Sequence, residues 1–175
     1  MKKRLTLIQM DVHVNDVEYN YNRVQELLTQ SLSESPDIIV LPETWNTGFY
    51  PSKELINIAD RNGERTKSLL SAFAKEHNVN IVGGSVAVAK NDVVFNTSYI
   101  YNRKGKLVGE YSKMHGFSPA KEDYYFAGGT HTTHFELDGI PCSTVICYDI
   151  RFPELVRMAA LPNTELLFVP AQWPT

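Results

Sequence analysis

The strongest constraint on the fold of this chain is a short run, "DIIVLPE" at residues 37–43, in which Ile38, Ile39, Val40 and Leu41 follow one another without a polar break. A strand with one wet face alternates apolar and polar residues, so an unbroken β-branched run describes a strand covered on both faces. Pro42 ends it, and Glu43 emerges at the C-terminal end. "TELLFVPAQWP" near the end of the chain supplies one more buried strand of this kind. Strands covered twice need layers above and below them.

The intervening segments provide those layers. "NDVEYNYNRVQELLTQSL" sets Val17, Tyr21, Val24, Leu28 and Leu32 on one helical face, with Asn15 and Glu18 spaced as an N-cap pair. "ERTKSLLSAFAKEHNV" carries a stripe of Leu69, Leu70, Phe73 and Ala74 and feeds "NIVGGSVAVA", where Gly83-Gly84 points to close backbone approach. "RLTLIQMDV" alternates as a half-buried strand does. Two hairpins follow. "VVFNTSYIYNRKGKLVGEYSKMH" turns at Asn102 to Gly105 and leaves Lys113 near the end of its second strand, and "THFELDGIPCSTVIC" turns at Asp138-Gly139 and ends at Cys147. Phe152, Leu155, Val156 and Ala159 then recur at helical spacing, with Pro153 in the first turn. Helices interleaved with parallel-type strands, plus hairpins, predict an α/β layered fold with a mixed sheet, and no repeat or linker divides it.

Composition narrows the partners. The net charge is −3, with 17 Lys and Arg scattered among 20 Asp and Glu, so no basic face is available for a phosphate backbone and nucleic acid is not expected. No apolar stretch approaches the roughly 20 residues of a membrane span, and the N-terminal segment turns polar too early for a secretory signal, which predicts a cytoplasmic protein. The two cysteines, Cys142 and Cys147, lack the spacing of a zinc site and are too few for a disulfide framework.

In layered α/β sheets ligands gather beyond the carboxyl ends of the strands, where Glu43, Lys113 and Cys147 all fall. Cys147 sits where an apolar strand gives way to a helix, a setting that favours thiolate and aims the Tyr148 N–H at an oxygen made negative by sulfur attack. A cysteine here is also a common packing residue. His115 shares a strand face with Lys113 and leaves a Cys–His pair open, but Glu43, its stem among apolar neighbours, is the more suggestive base. A thiol, a carboxylate and an ammonium are a complete set for acyl transfer.

With "VLPETWNTGF", "YSKMHGF" and "VICYDIRFPE" in that order, the chain resembles the nitrilase or carbon-nitrogen hydrolase superfamily, whose mark is a Glu-Lys-Cys triad. "IVGGSVAV", "FNTSYIYNRKGKLVGEYSK", "AGG" and "FVPAQWP" extend the likeness over almost all of residues 1–175. The resemblance implies a single carbon-nitrogen hydrolase domain with a four-layer αββα sandwich, incomplete at the C-terminus because family domains run on for roughly 80 to 100 residues. Gly116 stands where a larger apolar residue is common. "LPETWNTGF", "FELDG" and "CYDIRFPE" look most like the omega-amidase branch, which removes the side-chain amide of 2-oxoglutaramate or 2-oxosuccinamate.

That likeness assigns Cys147 as nucleophile, Glu43 as proton carrier, and Lys113 with the Tyr148 N–H as oxyanion donors. It implies a small amide substrate, a thioester intermediate, released ammonia, no metal or organic cofactor, and a homo-oligomer. It also implies a second, orienting glutamate, for which Glu122 is the candidate with Asp123 adjacent. Arg151 is a candidate clamp for the substrate's far carboxylate, the alternative being an ion pair with Asp149 or Glu154. Trp45, Phe49 and Trp173 are candidates for the pocket wall, the alternative being plain core. A nitrilase or N-carbamoyl-amide hydrolase with the same triad, and a non-catalytic binding or assembly module retaining the fold, stay open.

Overall fold

The computed structural model describes residues 2–49, 51–161 and 163–173. Among the described residues, ten strands form two sheets. The larger contains β1 (Leu5–Leu7), β2 (Ile38–Val40), β3 (Asp60–Arg61), β4 (Asn80–Val82), β5 (Val86–Lys90), β6 (Val93–Tyr101) and β7 (Leu107–Ser112). β1, β2 and β4 run parallel, while the long β6 is antiparallel to both β4 and β5 along its length and to β7. The smaller sheet pairs β8 (Thr133–Leu137) antiparallel with β9 (Ile140–Thr144), and β9 parallel with β10 (Leu166–Phe168). Helices α1 (Val17–Ser31), α2 (Leu55–Ile58), α3 (Glu64–Glu76) and α4 (Pro153–Ala160) complete the fold.

Three apolar interfaces stack these elements. Tyr21, Val24 and Leu28 of α1 and Leu70, Phe73 and Ala74 of α3 pack on Ile39 and Ile81 of the larger sheet. Ile38, Val40, Val82 and Ile100 from its other face meet Phe135, Leu137, Cys142 and Phe168 of the smaller sheet. Leu155 and Ala159 of α4 close the far side against Val145, Leu167 and Val169. The result is a four-layer αββα sandwich, and β2 is covered on both faces because Ile38 and Val40 point one way and Ile39 the other. At about 1.5 to 3 kcal/mol for each fully buried large side chain, these interfaces are the main favourable term.

Local chemistry explains most element ends. The Asp138-Gly139 turn has both residues at positive φ, 52° and 80°, as a two-residue hairpin requires. Gly84, at φ +62°, has no room for a side chain: a Cβ would lie 2.0 Å from the Pro42 carbonyl oxygen. That contact seats the exit of β4 against the residue preceding Glu43. Three expectations change. The N-cap of α1 is Asp16, whose carboxylate accepts the Tyr19 N–H at 3.1 Å, not Asn15. β9 ends at Thr144, short of Cys147. In β1 it is Thr6 that is half-buried while Leu7 is 73% exposed, because Leu5 and Leu7 lie on the face shared with Ile38 and Val40 where the three-stranded sheet does not reach.

Candidate active site

Glu43 leaves β2 through Pro42, Lys113 follows β7 directly, and Cys147 lies three residues beyond β9, so three separate strands deliver them to one end of the sandwich. All are buried: Glu43 is 0% exposed, Lys113 3% and Cys147 5%. The Lys113 ammonium donates to Glu43 Oε1 at 2.8 Å and to both oxygens of Glu122 at 2.9 and 2.7 Å. Asn96 of β6 lies beneath them, its amide nitrogen donating to Glu43 Oε1 at 3.1 Å and Glu122 Oε1 at 3.0 Å. The Phe117 N–H fixes Glu122 Oε2 at 2.8 Å, and the Gln172 N–H reaches Glu43 Oε2 at 3.1 Å.

This geometry assigns different jobs to the two oxygens of Glu43. Each carboxylate oxygen offers two lone pairs. Oε1 is filled by two donors, Lys113 and Asn96, whereas Oε2 accepts the Gln172 N–H, and the Cys147 thiol also hydrogen-bonds this carboxylate, which leaves Oε2 a site for a proton. Burial pushes the Glu43 carboxyl above its ordinary value, and the nearby Lys113 only partly offsets this. Burial alone would lower Lys113, but the charges of Glu43 and Glu122 outweigh it and hold the ammonium above its usual range. The lysine is therefore a fixed cation and not a base.

Cys147 adopts φ 46°, a left-handed conformation uncommon for a residue with a side chain, and its N–H is tied to the Pro170 carbonyl at 2.9 Å. The strain turns the chain sharply and presents the sulfur. It opens a five-residue 3₁₀ turn, Cys147–Arg151, while α4 begins only at Pro153. The expected thiolate is corrected accordingly: the α-helix that follows starts only at Pro153, six residues past the sulfur, and burial, then the charge and hydrogen bonding of Glu43, push the thiol up to about 12. Raised that far, the group is a neutral thiol near pH 7. The Tyr148 N–H precedes the first hydrogen bond of the turn, from the Asp149 N–H to the Ile146 carbonyl, as the early N–H groups of a helix do.

His115 is not the partner of Cys147. Its Nδ1 lies 2.9 Å from Asp149 Oδ1, and its ring stacks on Phe152 with centroids 3.6 Å apart. Trp45 is no pocket residue either; it is fully buried, edge-on to Tyr21, and its indole N–H donates to the Gly83 carbonyl at 2.9 Å. Phe49 and Trp173 do share a groove of about 450 Å³ with Met10, Val12, Pro42 and Gln172. A second cavity, about 150 Å³, is lined by Asn96, Lys113, Met114, Gly116, Glu122 and Phe126 among others. Arg151 is exposed and lines neither, and among the described residues it has no ion pair with Asp149 or Glu154. Gly116 packs on backbone, where a Cβ would sit 3.0 Å from the Asp123 nitrogen.

Asn96 and the Gln172 N–H were not singled out from the sequence. The signal for Asn96 was there: an asparagine inside the strand "VVFNTSYIY" is unfavourable unless its amide is used. Among the described residues no group of three His, Cys, Asp or Glu side chains could hold a metal ion, and no helix is long and apolar enough to cross a membrane.

The comparisons agree on one relationship. The chain is 40% identical over 174 residues to a 2-oxoglutaramate amidase of Bacillus subtilis (strain 168), covering 99% of this chain and 66% of that protein. It is 27% identical over 190 residues to an omega-amidase of Saccharomyces cerevisiae, covering 99% and 65%. A CN-hydrolase superfamily protein of Xanthomonas campestris with an arsenic adduct in its active site superposes with a TM-score of 0.85 at 28% identity, over 99% of this chain and 66% of that one. The chain thus spans just under two thirds of the length of these relatives. Residues 4–175 match the carbon-nitrogen hydrolase family, and the chain belongs to it.

Proposed function

We propose that this chain carries the acyl-transfer site of an amidase that hydrolyses the side-chain amide of a small 2-oxo acid, of the 2-oxoglutaramate type, through a thioester on Cys147. The observation that carries the reading is the buried Glu43 carboxylate, with Oε1 saturated by Lys113 and Asn96 and Oε2 left able to take a proton beside a neutral thiol. As sulfur bonds to the amide carbon, the carbonyl electrons move to oxygen and the thiol proton moves to Glu43. Lys113 and the Tyr148 N–H stabilise the oxyanion, with Glu122 orienting the lysine. Collapse breaks the C–N bond, Glu43 returns the proton to nitrogen, and ammonia leaves. Water, deprotonated by Glu43, then attacks the thioester; the C–S bond breaks and the thiol is restored.

The likeness to a 2-oxoglutaramate amidase supports the substrate class. The test is ammonia release from 2-oxoglutaramate, compared with simple nitriles and N-carbamoyl amino acids, together with intact-mass detection of an acyl adduct. Preference for a nitrile or a carbamoyl compound would replace the substrate class and keep the triad. Cys147→Ala is expected to abolish the adduct and Cys142→Ala to leave it, since Cys142 lies in the apolar layer between the sheets. An adduct that survives Cys147→Ala would count against the assignment, and silence toward all three compounds would favour a non-catalytic module.

A further inference from the structure

Asp149 is fully buried two residues after the nucleophile, and the mechanism above does not use it. Four donors converge on its carboxylate. Oδ1 accepts the His115 backbone N–H at 2.9 Å and faces His115 Nδ1 at 2.9 Å; Oδ2 accepts the Tyr111 hydroxyl at 2.7 Å and the Ile146 backbone N–H at 3.1 Å. These four fill the acceptor sites that two carboxylate oxygens offer. Their positions in the chain are what matter. Tyr111 and His115 flank Lys113 by two residues on each side, and Ile146 and Asp149 flank Cys147. None of the four donors belongs to β2 or to the segment that carries Glu43.

We infer that Asp149 is a positioning residue: by joining both neighbours of Lys113 to the Cys147 turn, it sets the separation between the ammonium and the sulfur that the oxyanion must span. The inference rests on the acyl-transfer reading. Each oxygen receives one backbone N–H, a donor that cannot reverse. An asparagine in either amide orientation would therefore point its NH₂ at a backbone N–H, so Asp149→Asn is not conservative here. The stacking of His115 on Phe152 fixes the ring that supplies the fourth donor.

Two reactions of Cys147 separate positioning from general support. Alkylation by iodoacetamide needs only the thiol and a base, because iodide departs as the S–C bond forms and the thiol proton passes to Glu43. Acylation by 4-nitrophenyl acetate transfers the same proton, but carbonyl electrons first move to oxygen and nitrophenolate leaves on collapse, so it depends on Lys113. Asp149→Asn is expected to slow the acylation burst about 100-fold, the cost of a displacement near 1 Å, while alkylation stays close to the parent rate. Tyr111→Phe keeps three of the four donors and should show the same selective loss at about 10-fold, so the test stands if Asp149→Asn does not fold. Equal losses in both reactions, or unchanged acylation in folded variants, would overturn the inference. A parent chain with no burst would instead sink the acyl-transfer reading, and this inference with it.

Discussion

Two ionic clusters sit at opposite ends of the same sheets. At one end, Arg103 pairs with Asp37 and Asp138 at 2.7 Å each, and Lys3 with Asp138 at 2.8 Å: two cations against two acids, with side chains 15 to 30% exposed. At the other, a single Lys113 faces Glu43 and Glu122, all of them 3% exposed or less. The outer cluster is balanced and wet. Among the described residues the inner one is short of a cation, and it is buried, so it cannot be explained by stability alone, since desolvating charges costs several kcal/mol that pairing does not reliably recover. The shared strands thus carry a solvent-screened clasp at one end and, at the other, a buried carboxyl, Glu43, raised above its ordinary value, and such perturbation marks a functional site.

Breaking the inner cluster should have the larger effect. Lys113→Met keeps the length of the side chain and strands two buried carboxylates; unfolding stability is expected to fall by about 3 to 5 kcal/mol in denaturant titration. The acylation rate should drop by about 10² to 10³ through loss of an oxyanion donor. Acylation within a few-fold of the parent would remove Lys113 from the mechanism.

pH separates the two ends next. Glu43 is raised above 4.5 and works only when ionised, so the acid limb of kcat/KM should lie above that value. Asp37 and Asp138 are held below 3.8, the first by the Arg4 N–H and the second by Arg103. A depressed carboxylate contributes stability that is complete above its unfolded value and is lost only as pH falls through the folded one. On acidification, activity should therefore fail while the outer cluster still holds, read as a rate profile against thermal melting. In the alkaline direction, a thiol pushed up to about 12 predicts no thiolate absorbance from Cys147 near neutrality. An early rise there would restore a thiolate–ammonium pair as the resting state.

The smallest change is expected from Arg103→Ala, which opens the outer cluster at the cost of at most about 1 kcal/mol and leaves acylation untouched. A larger loss of stability, or any loss of rate, would mean the two ends are coupled through the sheets.

Much of the fold was legible locally. The run Ile38–Leu41, the helical stripes of α1 and α3 and the Asp138-Gly139 turn each encode their geometry within a few residues, because side-chain direction and allowed φ are short-range properties. Leu5 and Leu7 show the limit. Alternation identified a strand but not which face is covered, since that depends on how far a sheet distant in the chain extends. Trp45 is similar: the sequence left pocket wall and plain core both open, and its neighbours Tyr21 and Gly83 made it core.

In the site, the sequence by itself determined which groups are delivered to the carboxyl ends of the strands: Glu43 after Pro42, Lys113 after β7, Cys147 after the apolar run. Only the tertiary structure decided their states. Whether the sulfur is thiol or thiolate depends on desolvation and on the charge of Glu43, and which oxygen of Glu43 can take a proton depends on how many donors reach each one. One of those donors, the Gln172 N–H, lies 129 residues away in the chain. Lone-pair occupancy and local dielectric are sums over everything packed nearby, and no window of sequence contains that sum.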